Sequence, residues 1–251
     1  MKLSKQMPNP SEDIFSQYLS LLVFNGLYSN QGKLKFYLKQ IFDGIEINKT
    51  TLLDVGGGDG LFSFYAAIMG AKKVICLEPE CEGSSEGTRE KFLKLRTDLG
   101  LDNVKLIPET IQEYDSHGEV FDIILMHNSI NHFNEEACIN LITDPSAKNL
   151  YLDIISKLYD LTACEGDTII CDCSNKNIFN FLGLKNIFIP SIEWYKHQPP
   201  EAWVSLFEEA GFTDPEIRWT TLYPLRGFGK LFANKYAAYF LTSHFCIRMK
   251  K

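Results

Sequence analysis

The sequence predicts an α/β protein: a doubly wound, mostly parallel sheet of seven strands whose last strand is antiparallel, with an N-terminal helical cap. Three observations lead there. From Thr51 onward short apolar runs alternate with longer helix-period segments; a glycine-rich turn, "DVGGGDG" at Asp54–Gly60, follows the first run; and only a short connection without helical periodicity separates the last two runs. A chain of 251 residues, 45% hydrophobic and 23% charged, is large enough to bury such a core as one domain.

In chain order, residues 12–42 have helical periodicity, with Ile14, Phe15, Tyr18, Leu19, Leu22 and Val23 followed after a break by Leu34, Tyr37, Leu38 and Ile41. Residues 1–49 therefore form the cap and 50–251 the sheet domain. Strands are expected at Thr51–Val55, Lys73–Leu77, Val104–Ile107, Phe121–Met126, Thr168–Asp172, Glu216–Thr221 and Tyr239–Arg248. Helices are expected at Leu61–Met69, Glu86–Leu99, Glu135–Thr143, Leu150–Thr162 and Pro200–Ala210. Strands that alternate with helices imply right-handed crossovers and parallel pairing. The stretch 174–199, rich in Asn and aromatics and ending in Pro199, has the composition of an inserted lid.

Composition excludes several classes. Net charge is −7, the wrong sign for nonspecific nucleic-acid binding. The apolar stretch Leu19–Phe24 is too short for a membrane span, and the N-terminus lacks a signal-peptide core, so a cytoplasmic protein is expected. The seven cysteines (Cys76, Cys81, Cys138, Cys164, Cys171, Cys173 and Cys246) show no disulfide-framework spacing, which points to a reducing compartment. Cys171-x-Cys173 points two thiols to one face but has no second half-site in the sequence, so no metal is expected.

Glycines after the first strand let a ligand approach the backbone at a helix N-terminus. A dinucleotide fingerprint counted from Gly56 would need a third glycine where Leu61 stands, and no Gly-Lys-Ser/Thr phosphate loop is present. What remains, Asp54-x-Gly56-x-Gly58-x-Gly60, resembles the first motif of the class I S-adenosylmethionine-dependent methyltransferases. The resemblance implies a Rossmann-like fold, S-adenosyl-L-methionine as cofactor, and cofactor contacts from Asp54, Gly56, Gly58 and Gly60. Glu78 ends the next strand 22 residues beyond Gly56, where an open α/β sheet presents an acid to ribose hydroxyls. The resemblance further implies adenine contacts at Glu109, Thr110 and Ile111, and counts Asn128 with the cofactor residues. A sulfonium is cationic, which suits these acids and the lack of any Lys or Arg between Thr51 and Ala71.

The segment after the fourth strand, "FDIILMHNSINHF", supplies His127 and His132 as candidate bases, since His titrates in the range that proton removal from an acceptor needs. His132 matches a histidine of the family's loop-to-helix segment. No amino-methylating "NPPY" or "DPPY" sequence follows that strand, which together with the acidic charge favours a small-molecule acceptor and O-methylation. The aromatic lid, with Phe179, Phe181, Phe188, Trp194, Tyr195 and His197, suits an aromatic acceptor. From Arg218 to Lys251 there are seven Lys or Arg and no acid, so Arg226 and Lys230 are candidates to receive an anionic one. Two rivals are a noncatalytic nucleoside-binding protein on the same fold and a nicotinamide oxidoreductase, the latter disfavoured by Leu61.

Overall fold

In a computed structural model, the structure describes residues 10–79, 87–186, 192–220, 223, 232–241 and 243–251. Helices α1 (Pro10–Phe24) and α2 (Gln31–Ile41) precede β1 (Thr51–Val55), α3 (Leu61–Ile68), β2 (Lys73–Leu77), α4 (Thr88–Leu99) and β3 (Val104–Ile107). Then come β4 (Phe121–His127), α5 (Glu135–Asn140), α6 (Pro145–Leu161), β5 (Thr162–Cys173) and a short α7 (Ile178–Phe181). The chain closes with α8 (Pro200–Glu209), β6 (Thr213–Trp219), α9 (Lys235–Phe240) and β7 (His244–Lys250).

The seven strands lie in the order β3-β2-β1-β4-β5-β7-β6. Strands β1 to β5 pair in parallel, while β7 inserts antiparallel to both β5 and β6. This is the doubly wound, mostly parallel sheet with an antiparallel last strand that the sequence predicts. The order reverses between β1 and β4, the switch point where such sheets open a crevice at their carboxyl ends.

Side chains alternate across the sheet, so each strand feeds two cores. Ile124, Met126, Ile170 and Ile247 face a core shared with α5, α6 and α8; Leu52, Ile123, Leu125 and Ile169 face the other, shared with α1 to α4. The N-terminal helices are part of that second core, through buried Tyr18, Leu22, Leu34 and Leu38, each side chain contributing about 1.5–3 kcal/mol of burial. The Tyr18 hydroxyl also donates to the Leu61 carbonyl at 2.7 Å, tying α1 to the start of α3.

The three largest boundary shifts from expectation are at α9, α6 and β5, while β6 starts three residues early, at Thr213, and α5 ends three early, at Asn140. The stretch expected as one strand, Tyr239–Arg248, divides: its start belongs to α9 and the strand begins at His244. Asn234 decides this, because its side chain accepts from the N–H groups of Tyr236 and Ala237 and so caps a helix that the aromatic run alone does not announce. α6 starts at Pro145 instead of Leu150, with Asp144 accepting from the Ser146 N–H and Pro145 in the first turn. β5 starts at Thr162, directly at the end of α6, where a helix ending and a strand onset share one residue and no turn residue marks the change.

Candidate active site

The turn after β1 is fixed by its backbone before any side chain acts. The N–H groups of Gly56 and Gly57 both donate to the Leu77 carbonyl, at 2.8 and 3.2 Å, so the turn is tied to the end of β2. Gly56 has a φ of +69°, and a Cβ there would lie 2.5 Å from the Ser129 Cβ; at Gly60, φ +81°, it would lie 2.5 Å from the Phe92 ring. These two glycines allow close packing of the turn on its neighbours. Gly58 differs: a Cβ there would meet nothing within 4 Å, because the position opens into the crevice. Its N–H donates to Glu78 Oε2 at 2.8 Å.

That crevice is a cavity of about 300 Å³. Of the residues predicted from sequence, Gly56, Gly58, Glu78, Glu109, Thr110, Ile111, Asn128 and His132 line it. Asp54, Gly60 and His127 do not. Asp59, Gln112, Ser129 and Phe133 line it without having been singled out as site residues. Asp59 stands inside the glycine motif and was legible as its second acid; Ser129 becomes visible only through its hydroxyl, which donates to the Val55 carbonyl at 2.6 Å and holds the post-β4 segment on the turn. Among the described residues the lining includes the acids Asp59, Glu78 and Glu109 and no Lys or Arg. A cationic ligand fits such a wall and a pyrophosphate does not.

Asp54 works beneath the turn. It is buried, its Oδ2 accepts from the Ser63 hydroxyl at 2.7 Å, and a Cβ at Gly57 would lie 2.7 Å from the same oxygen. Burial pushes its carboxyl up to about 7, with the Ser63 hydrogen bond opposing and the nearby Glu78 charge adding.

The segment after β4 turns sharply at Asn128, whose φ of +51° is tolerated by Asn and whose N–H donates to the Cys171 carbonyl at 2.8 Å. A 3-10 turn at Ile130–His132 follows, held by the Tyr151 hydroxyl donating to the Ile130 carbonyl at 2.9 Å. His132 Nδ1 lies 2.6 Å from Glu135 Oε1, and Glu135 is in turn paired with Lys196 at 2.8 Å. These contacts orient the imidazole from the side away from Nε2.

His127 was expected just past the strand but is its last residue, paired with Cys171. Its Nε2 lies in hydrogen-bond contact with the Tyr37 hydroxyl at 2.6 Å, and its ring packs on Phe62 with centroids 4.5 Å apart. Burial pushes its pKa down to about 3, so the ring stays neutral near pH 7. Of the lid residues, Trp194 is buried, Phe181 and Tyr195 are exposed, and His197 Nδ1 lies 2.9 Å from Asp172 Oδ1 at the end of β5. Phe188, Arg226 and Lys230 lie outside the described residues. Among the described residues no group of His, Cys, Asp and Glu is arranged to hold a metal ion.

Strand order, switch point and glycine turn together define the fold of the class I S-adenosylmethionine-dependent methyltransferases. Solved structures with this architecture include an S-adenosylmethionine-dependent methyltransferase from Mesorhizobium loti (12% identity, 86% of this chain and 96% of that one, TM-score 0.57). Another is a methyltransferase from Archaeoglobus fulgidus (15% identity, 92% and 99%, TM-score 0.57). A third is the 1,6-didemethyltoxoflavin-N1-methyltransferase of Burkholderia thailandensis, solved with 1,6-didemethyltoxoflavin and S-adenosylhomocysteine bound (14% identity, 100% and 93%, TM-score 0.54). Neither a protein-family model nor a curated protein matches the chain by sequence.

Proposed function

We propose that this chain is an S-adenosylmethionine-dependent methyltransferase acting on a small-molecule acceptor, with oxygen the favoured methylated atom. One observation carries the reading. At the switch point the Gly58 N–H and the Glu78 carboxylate meet on the wall of a cavity that, among the described residues, has acids and no Lys or Arg. Glu78 is the residue to accept from ribose hydroxyls, and Glu109, Thr110 and Ile111 to border the adenine. Gly56 and Gly58 give the rest of the cofactor access to the backbone, and Asn128 closes the β4 side. Asp54 and Gly60 act one layer back, by shaping the turn. The cofactor would supply a methyl group on a sulfonium, already bonded to a good leaving group, so the protein's task is alignment and, for a hydroxyl acceptor, removal of a proton.

For that proton we propose His132, which lines the cavity and has Nδ1 held by Glu135. With Nδ1–H donating to the carboxylate, the Nε2 lone pair is the basic site; Asn131 Nδ2 lies 3.3 Å from it, a looser contact than the 2.6 Å between Tyr37 and His127. His127 is the second candidate. With Nε2 occupied by the Tyr37 hydroxyl, its contribution is to hold α2 against the end of β4. A small acceptor is supported by the net charge of −7 and by the named substrate of the Burkholderia neighbour. Among the described residues no helix is long and apolar enough to cross a membrane, and the six described cysteines are free, which supports a cytoplasmic setting.

The test has two stages. Thermal shift with S-adenosylmethionine, S-adenosylhomocysteine and NAD should show stabilisation by the first two alone. Transfer of a labelled methyl group into a metabolite extract should then yield a labelled small molecule. Binding without transfer would leave a noncatalytic cofactor-binding protein, and stabilisation by NAD alone would remove the methyltransferase reading.

A further inference from the structure

A second cavity of about 370 Å³ opens beyond the carboxyl ends of β5 and β6. Its wall is aromatic: Trp219 ends β6, and Tyr236, Tyr239 and Phe240 come from α9. Trp219 is held edge-on to Phe245, and Tyr239 to Phe240, with centroids 6.1 and 5.1 Å apart, so the wall has fixed ring planes. Yet Tyr236 is 72% and Phe240 60% exposed. Large rings gathered around a concavity and left in water mark a binding surface more than a core.

The charges narrow the ligand further. Lys176 lies 4.0 Å from Glu201, so these two neutralise one another at the rim. Lys235 has no carboxylate within ion-pair distance among the described residues, and its ammonium lies 5.2 Å from the centroid of the Tyr236 ring. One uncompensated cation beside an aromatic wall selects an aromatic ligand with one negative charge. The volume lies within the roughly 300–1,000 Å³ range of small-molecule pockets, and four aromatic side chains around it suit a planar ligand.

The cavity stands on the same edge of the sheet as the cofactor crevice. Ser174, which lines it, directly follows β5, and Asn128, which lines the crevice, follows the neighbouring β4 and bonds to Cys171 of β5 at 2.8 Å. β4 and β5 are neighbours, about 4.8 Å apart, and β7 separates β5 from β6, so the cavity extends away from the crevice along the same edge. We propose that this cavity binds a planar aromatic carboxylate, with Lys235 taking the carboxylate, and that this ligand is the methyl acceptor; the last clause rests on the methyltransferase reading.

The experiment is calorimetric and saturation-transfer NMR titration of the full chain with benzoate, para-hydroxybenzoate and phenol as probes. Both carboxylates should bind at least about tenfold more tightly than phenol, and the gap should narrow as salt rises. Lys235→Ala, an exposed substitution, should cost the carboxylates about tenfold while leaving phenol and S-adenosylhomocysteine affinities unchanged. Trp219→Ala should weaken all three aromatic probes together. Phenol binding as tightly as the carboxylates, no binding of either carboxylate, or carboxylate affinity unmoved by Lys235→Ala would each overturn the site. Should the carboxylates bind as described while S-adenosylhomocysteine does not, the site would stand and its ligand would cease to be a methyl acceptor.

Discussion

The two halves of the sheet's carboxyl edge carry opposite charge. Over β1, β2 and β3 the wall joins the carboxylates of Asp59, Glu78 and Glu109 to apolar Val55, Leu77, Ile111 and Phe133, with no Lys or Arg among the described residues. Over β5 and β6 it is four aromatic rings with two lysines against one glutamate. The first half suits a polar ligand whose charge is positive, the second a planar ligand whose charge is negative. An enzyme that brings a sulfonium to an aromatic anion needs this division, because each pocket then disfavours the other's ligand. The halves also differ in how the chain makes them. Both gather residues from several separate segments, but the crevice centres on one main-chain turn, Asp54–Gly60, where a Cβ at Gly56, Gly57 or Gly60 would clash and one at Gly58 would not.

Substitution within the turn breaks this contrast most severely. Gly60→Val places a branched side chain against Phe92 and Phe64 at a φ of +81° and should cost about 3 kcal/mol or more of folding stability, read from urea midpoints. Gly58→Val at φ +54° has open space, so the chain should stay folded with about 1–2 kcal/mol of backbone strain and lose cofactor binding. Equal destabilisation by the two would mean that the turn is a packing unit throughout and not a ligand surface.

Next in size is the chemical step. Once an acceptor is known, His132→Ala should lower turnover by about two decades with S-adenosylhomocysteine affinity at its wild-type value. Unchanged turnover would leave alignment alone as the protein's contribution, as would suit an acceptor that needs no base.

Two buried titratable groups beneath the carboxyl edge, His127 at the end of β4 and Asp54 in β1, should respond to pH in opposite senses. His127 has its pKa pushed from 6.5 down to about 3, so the stability it contributes is present above pH 6.5 and lost as pH falls toward 3. His127→Gln, which can still hydrogen-bond to the Tyr37 hydroxyl, should relieve about 1–2 kcal/mol of that acid sensitivity between pH 7 and 4.5. Asp54 has its pKa raised from 3.8 to about 7, so its contribution is full below pH 3.8 and declines as pH rises through 7. Asp54→Asn should therefore gain stability over wild type at pH 8 and not at pH 4. Parallel shifts in both variants would contradict the assignment of one group to each sense.

The sequence was most readable where structure is local. β1, β2 and β3 fall on their expected residues because inner parallel strands are short, mostly apolar runs, such as Leu52, Leu53 and Val55 or Val74 to Leu77. Gly56, Gly58 and Glu78 could be placed at the crevice because a turn and a strand end are fixed by neighbouring residues. α9 was misread since a run such as Tyr236–Phe240 fits either period, and one Asn234 cap decides it. Nothing in the sequence joins Tyr37 to His127, 90 residues apart, so the imidazole's occupied Nε2 appears only when α2 is laid on the sheet. The aromatic cavity was hidden for the same reason: Ser174, Glu201, Trp219 and Lys235 share an edge only after β7 has inserted between β5 and β6.

Adenosyl binding through Glu78 in the crevice over β1 and β2 is open to calorimetric titration of S-adenosylhomocysteine into the wild type and Glu78→Ala. Saturable binding to the wild type and a loss of about 1–3 kcal/mol in the variant, for the charged hydrogen bonds to the ribose, are the expected results. Equal affinity in the two proteins, or no binding to the wild type, would contradict such binding.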